Sequence, residues 1–246
     1  MSNKYSETIT IKYSETDQNL AMKPFALLNF LQDIAGKNAE DLGFGYSFMH
    51  PQNYAWFLIK YRMEFEEYPF DIQNLTLVTE PRGYNKIFAY RNFAIMKNEK
   101  TIAKISSMWS IIDTVKHSMI PVKEVINSPY MPAFEKNAED LNFAKISPLT
   151  KIDTLMEFEV RYNDLDVNGH ANNVNYIVWA FEPLTFDFKN TRRIKTLDIV
   201  YKKEAKYGET IVSQIEFKNN TTIHCLKNRA GEDLCLIECE WEEIQK

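Results

Sequence analysis

The chain is poor in the residues that mark specialised architectures: of 246 residues only 3 are cysteine, 7 glycine and 9 proline. The cysteines, Cys225, Cys235 and Cys239, are odd in number, crowd the C-terminal end and lack C-x-x-C spacing. That pattern excludes a disulfide framework and a zinc site, and predicts reduced, buried thiols. So little glycine and proline excludes a collagenous, low-complexity or linker-dominated chain. The first ten residues, MSNKYSETIT, hold no apolar run. Nowhere do about 18 consecutive apolar residues occur, so neither a secretory signal nor a membrane span is expected, and the cytosol is the expected compartment. Basic residues are outnumbered 29 to 34, a net charge of −5. That balance argues against broad nucleic-acid binding, which needs clustered Lys and Arg.

What the chain has is core-forming material, with 45% hydrophobic and 13% aromatic residues. Residues 5–14 read as extended, and Phe25, Leu28, Phe30, Leu31 and Ile34 then take roughly helical spacing. Extended stretches follow at Ala55–Phe65, Asn74–Thr79, Ile87–Met96 and Thr101–Ile112. They are separated by turn chemistry such as Glu80-Pro81-Arg82-Gly83 and Lys97-Asn98-Glu99-Lys100. Residues 128–147, with two prolines among them and no sustained period, read as a connector. After it the order returns. Leu155–Arg161 is extended, and Val174, Ile177, Val178 and Phe181 have helical spacing. Strands are expected at Thr196–Lys203, Thr210–Phe217, Thr222–Leu226 and Leu234–Trp241.

Laying Ile11–Asp33 over Val160–Glu182 pairs Tyr13 with Tyr162, Asp17 with Asp166 and Asn19 with Asn168. Conservative pairs include Ile11/Val160, Glu15/Asp164 and Asp33/Glu182. Further on, Tyr61-Arg62-Met63-Glu64 matches Tyr201-Lys202-Lys203-Glu204. Duplication of an α+β unit is the reading that follows, each unit an antiparallel sheet wrapped around one long central helix.

The segment richest in chemistry is Arg161-Tyr-Asn-Asp-Leu-Asp-Val-Asn-Gly-His-Ala-Asn-Asn-Val-Asn-Tyr176. Asp166, Asn168 and His170 stand at i, i+2 and i+4, which places them on one face if the backbone is extended. Gly169 permits a sharp change of direction before the helix. Asn172 or Asn173 is a natural N-cap, and the first-turn N–H groups beyond it can polarise a carbonyl oxygen. A carboxylate, an amide, an imidazole and a helix N-terminus suit acyl transfer to water, with His170 as base and no metal or other cofactor required. The first copy keeps Asp17 and Asn19 but has Leu20 and Ala21 where the second has Gly169 and His170. Only the second copy can run imidazole chemistry. The first, with Met22 and Phe25 nearby, is suited to holding something apolar.

Those residues resemble the catalytic signature of the acyl-acyl carrier protein thioesterases, tandem double-hotdog enzymes of plant plastids and bacteria. Trp179 and Glu182 extend the likeness, as do Trp56-Phe57-Leu58, Phe65-Glu66-Glu67-Tyr68-Pro69 and Ser106-Ser107-Met108-Trp109 in the first half. The resemblance implies hydrolysis of a fatty acyl thioester on the carrier's phosphopantetheine. It gives catalytic roles to Asp166, Asn168 and His170, and to Glu204 as a further carboxylate. A cysteine follows that glutamate in many plant members. Here Ala205 stands there, which disfavours a cysteine acyl-enzyme and leaves water attack, or attack by Asp166 through a transient anhydride. The absence of a transit segment or anchor implies a bacterial-type cytosolic form.

The division expected is residues 1–130 as an N-terminal hotdog for the acyl chain, 131–148 as linker and 149–246 as the catalytic hotdog. The partner implied is acyl carrier protein, which is strongly acidic. Residues 189–206 offer it a basic surface: Lys189, Arg192, Arg193, Lys195, Lys202, Lys203 and Lys206 against only Asp198 and Glu204. Lysines that block a strand edge explain the same run. An acyl-CoA thioesterase, a hotdog hydratase and a non-catalytic acyl-binding protein are the competing readings. A monomer whose halves form an internal pseudo-dimer is sufficient, and a homodimer is compatible.

Overall fold

The computed structural model describes residues 3–244. The outermost residues of the division above, 1–2 and 245–246, lie outside the described residues. Two compact units are present, one of residues 3–22 and 26–142, the other of residues 23–25 and 143–244. No helix among the described residues is long and apolar enough to cross a membrane.

The first unit runs β1 (Tyr5–Thr10), a 3-10 turn (Tyr13–Glu15), α1 (Pro24–Asp41), α2 (Tyr46–Met49), β2 (Tyr54–Phe65), β3 (Asn74–Asn85), β4 (Phe88–Lys97), β5 (Lys100–Asp113), β6 (Ser118–Ile120) and α3 (Val122–Val125). Its strands pair antiparallel in the order β1-β3-β4-β5-β2, and β6 adds to β5. Alternation decides the inner face: Leu75, Leu77 and Thr79 of β3, Phe93 and Ile95 of β4, and Tyr61, Met63 and Phe65 of β2 are buried. Leu27, Leu28, Leu31, Ile34 and Ala35 form the buried stripe of α1. Each such Leu or Ile contributes about 1.5–3 kcal/mol on leaving water.

A buried cation ties helix to sheet. Arg91 of β4 donates from Nη1 to Asn38 Oδ1 of α1 at 2.7 Å and to Thr79 Oγ1 at 3.0 Å. No carboxylate pairs with it among the described residues, and burial lowers its pKa to about 10.

Two local readings change. Glu80-Pro81-Arg82-Gly83 is no turn but the distal part of β3, bulged between Pro81 and Gly83. β1 reaches only to Thr79, so Pro81 lies where no β1 partner asks for its missing N–H. Gly83 (φ 109) is needed because a Cβ there would stand 2.4 Å from Pro132 O. Residues 131–142 pack on the first unit. Phe134 N donates to Tyr84 O at 2.8 Å, its ring stacks on Tyr90 at 4.1 Å, and Asp140 accepts from Arg82 Nε at 2.9 Å and Asn92 Nδ2 at 2.7 Å.

The second unit repeats the plan with β7 (Thr154–Glu159), a 3-10 turn (Tyr162–Asp164), α4 (Asn173–Phe181), α5 (Phe186–Thr191), β8 (Arg192–Tyr201), β9 (Thr210–Lys218), β10 (Thr221–Asn228) and β11 (Asp233–Glu243). The strand order is β8-β11-β10-β9-β7, all antiparallel. Its principal helix is 9 residues long against 18 for α1. α4 lies on β9, β10 and β11. Buried His224 of β10 joins Ala180 O through Nδ1 and Thr222 Oγ1 through Nε2, both at 2.8 Å, and Phe181 packs on Trp241 at 5.2 Å. Each unit is thus a hotdog, a sheet folded on one principal helix. All three cysteines are buried and free, their thiols pushed up by burial, Cys225 to about 11.

Candidate active site

The path from Arg161 to Tyr176 is braced at its start. Arg161 and Asp164 form an ion pair at 2.9 Å, and Asp164 Oδ2 also accepts from Arg161 N at 2.8 Å. Burial alone would raise the Asp164 carboxyl; the Arg161 guanidinium and backbone N–H hold it below its ordinary value. Asp164 O accepts from Asn172 N and from Asn175 Nδ2, each at 2.8 Å, which fixes where α4 begins. Asp164 is a residue the motif reading leaves out, although its i, i+3 spacing from Arg161 is visible in the sequence.

Between Leu165 and Ala171, which form a bridge, the chain makes a closed turn rather than an extended run. Asp166 N donates to His170 O at 2.7 Å and Gly169 N to Asp166 O at 3.1 Å, with Gly169 at φ 77. Asp166 Oδ1 accepts from Asn168 N at 2.8 Å and His170 N at 3.2 Å, while Oδ2 is 3.4 Å from Asn168 Nδ2. The turn therefore holds the Asn168 side chain and the backbone N–H of His170 at the Asp166 carboxylate, in the conformation that Asp at its start and Gly near its end favour.

A second segment lies alongside. Ala171 N donates to Ala205 O at 2.9 Å, and His170 bridges Lys206. This brings Glu204 Oε2 to 3.4 Å from His170 Nδ1, ion-pair range without hydrogen-bond alignment. His170 is half-buried and Glu204 exposed. Asn172 is the N-cap of α4, its Oδ1 accepting from Val174 N at 3.2 Å. Asn173 is the first helical residue, its carbonyl accepting from Tyr201 Oη at 3.2 Å. Tyr176 of α4, absent from the site residues read from sequence, places its hydroxyl between Lys203 O (3.3 Å) and Ala205 N (2.8 Å).

The basic run has acidic company that its own sequence conceals, because β8 pairs with acidic β11. Lys202 meets Asp233 at 2.8 Å, Lys203 meets Glu232, Lys195 meets Glu240 at 3.5 Å and Arg192 meets Glu243 at 3.7 Å. Arg193 Nη1 donates to the carbonyls of Lys189 and Arg192.

The first unit provides a built-in comparison. There Asp17 N donates to Ala21 O at 2.8 Å, and Asp17 Oδ1 accepts from Asn19 N at 2.8 Å and Ala21 N at 2.9 Å. Met22 N donates to Pro69 O, and Ala21 bridges Phe70, as Ala171 does to Ala205 and His170 to Lys206. Ala21 thus corresponds to His170, and Tyr68 to Glu204. The sequence match of Glu64 with Glu204 is displaced: Glu64 lies inside β2, paired with Arg62 at 2.8 Å. Leu20 keeps a φ of 60 where the second unit has Gly169.

Residues 2–130 match the model described as acyl-ACP thioesterase N-terminal domain, and residues 148–243 that of the acyl-ACP thioesterase C-terminal domain. Among curated relatives, an oleoyl-acyl carrier protein thioesterase of Coriandrum sativum is 21% identical over 85% of this chain and 61% of its own length. A palmitoyl-acyl carrier protein thioesterase of Arabidopsis thaliana is 23% identical over 96% of this chain and 63% of its own. The chain thus spans less than two thirds of the length of these relatives. Among solved structures, an acyl-ACP thioesterase from Bacteroides thetaiotaomicron superposes with a TM-score of 0.87 at 22% identity, covering 98% of this chain and 100% of the other. The 12:0-ACP thioesterase from Umbellularia californica gives 0.89 at 19%, covering 99% of each chain. At such identities these likenesses show the double-hotdog fold.

Proposed function

The chain belongs to the acyl-ACP thioesterase family, and from that premise we propose that it hydrolyses the thioester of fatty acyl-acyl carrier protein, releasing a free fatty acid and the carrier thiol. The observation that carries the reading is the facing of His170 and Glu204 in one unit, with Ala21 and Tyr68 at the corresponding places in the other. His170 Nε2 takes a proton from water, the resulting hydroxide adds to the thioester carbonyl, and collapse of the tetrahedral adduct breaks the C–S bond. The imidazolium returns the proton to the departing thiolate. Glu204 beside Nδ1 orients the ring and stabilises the imidazolium. An approach of this length tightens to a hydrogen bond in the complex with substrate.

Asp166 and Asn168 build and line the turn that presents His170, and the positive end of α4 at Asn172 and Asn173 favours the developing oxyanion. Ala205 after Glu204, and three cysteines buried with raised pKa, support a route without cysteine nucleophile. The first unit keeps the turn but neither reacting group, which supports its assignment to the acyl chain. The test is a panel of acyl-carrier and acyl-CoA thioesters offered to wild type and His170→Ala. Release of fatty acid from the carrier substrate, lost in the variant, is expected. Preference for the CoA esters would transfer the function to that class, and an unimpaired variant would remove the site.

A further inference from the structure

Glu204 sits in residues 202–205, a stretch of no regular secondary structure, and its own side chain is exposed. What fixes its backbone is therefore decisive for any action on His170. Lys202 N and Lys203 N both donate to Leu234 O, at 2.8 and 3.2 Å, and Ala205 O accepts from Ala171 N. The first unit has the same three bonds, from Glu66 N and Glu67 N to Ile102 O and from Met22 N to Pro69 O. These belong to the shared scaffold and occur with or without a carboxylate.

One contact is added in the second unit alone. The Tyr176 hydroxyl donates to Lys203 O and accepts from Ala205 N, so it holds the carbonyl before Glu204 and the N–H after it. Tyr176 is 1% exposed, its ring edge-on to Trp179 at 5.5 Å and to Tyr201 at 5.7 Å. Burial pushes the phenol's pKa up, so the hydroxyl stays protonated and can act as donor and acceptor together. Tyr201 Oη donates to Asn173 O and anchors the start of the same helix. By the correspondence of the two units, Leu27 stands for Tyr176 and Phe65 for Tyr201, and the loop there carries Tyr68. The copy with the carboxylate has the hydroxyls; the copy without it has neither.

We propose that Tyr176 is a positioning residue for the hydrolysis, clamping the peptide groups on both sides of Glu204 so that the carboxylate stays against His170. The proposal rests on the catalytic reading of that pair. Tyr176→Phe deletes only the hydroxyl. It should lower kcat about tenfold through loss of both bonds, with KM for acyl-carrier substrate little changed.

A double-mutant cycle separates this from a general packing role. In a Glu204→Gln background, Tyr176→Phe should cost almost nothing more, because the group it positions is already disabled. Backbone amide exchange at Ala205 should quicken in Tyr176→Phe. Tyr176→Leu, which installs the first unit's residue, serves as a second variant and should follow the same cycle. Equal losses in both backgrounds, or an undiminished kcat, would overturn the clamp while leaving the function intact. A wild-type protein that hydrolyses no thioester would overturn both.

Discussion

His170 Nδ1 and Glu204 Oε2 lie 3.4 Å apart, brought together by two loops whose shared backbone bonds recur in the first unit around Ala21 and Tyr68. A fold that makes the same turn with and without the groups proposed to react separates scaffold from chemistry. The backbone hydrogen bonds of Asp166 are scaffold, since Asp17 makes them too. The imidazole, the carboxylate and the Tyr176 hydroxyl are what the second unit adds.

That separation ranks substitutions. His170→Ala removes the proposed base and should lower kcat by about 10²–10⁴-fold. Glu204→Gln keeps shape and loses charge, and should cost less, because the imidazole remains. Thiol release from acyl-carrier substrate under saturating conditions measures both. A Glu204→Gln loss exceeding that of His170→Ala would reverse the roles assigned to the pair.

Leu20 and Gly169 occupy the same left-handed place, at φ 60 and φ 77. A side chain there costs about 1–2 kcal/mol, but Leu20 is only 36% exposed, so burial of the rest of its side chain offsets that cost in the first unit. Leu20→Gly should therefore gain little, since relief of strain is met by lost burial and by the extra chain entropy of glycine. Gly169→Ala should lower stability by roughly 0.5–1 kcal/mol through backbone strain alone, since no atom lies within 4 Å of the added Cβ. Its thermal midpoint should fall below that of wild type; an unchanged or raised midpoint would refute the account.

Which of these features the sequence discloses follows from the range of the forces involved. Alternation and helical spacing are local, so the strands of both units and the buried stripe of α1 are legible. So is the Asp166–Asn168–His170 segment, because all its members lie within one turn. Its closed path is not legible, since spacing alone cannot tell an extended run from a turn stapled by Asp166 Oδ1. The continuation of β3 through Pro81 depends on where β1 stops. Glu64 misleads because a shared Tyr-x-x-Glu string outweighs register, which only the Pro69 and Ala205 bonds reveal. Tyr176 reads as one more apolar-face residue until the loop it grips, 27 residues onward, is in place.

His224 makes stability depend on pH. Burial lowers its pKa from 6.5 to about 3, with Ala180 O opposing. Between those values the unfolded chain binds a proton at this site and the native state does not. Its contribution is complete above pH 6.5 and falls as the medium is acidified toward pH 3, by up to about 1.4 kcal/mol per pH unit. Urea unfolding across this window should show a shallower slope in His224→Gln than in wild type. Identical slopes would mean that other groups set the acid limit.

The proposed docking of an acidic carrier would be constrained by the pairing of β8 with β11. Lys202 and Lys203 already face Asp233 and Glu232, so a carrier carboxylate has to compete with those partners for either ammonium. Lys206 is exposed, makes no ion pair among the described residues, and bridges His170 through its backbone. Under the proposed function, its place at that bridge makes it the cation expected to act on a carrier delivering its thioester to the imidazole. Lys206→Glu should raise KM for acyl-carrier substrate several-fold at low salt, whereas Lys203→Glu should raise it less. The difference should shrink as ionic strength approaches the range where the screening length falls to about 8 Å. kcat should change little in either, because neither ammonium touches the reacting atoms in this arrangement. If Lys203→Glu proved the more damaging, the carrier would have to displace Glu232 on arrival, and the docking surface would lie along the β10–β11 hairpin instead.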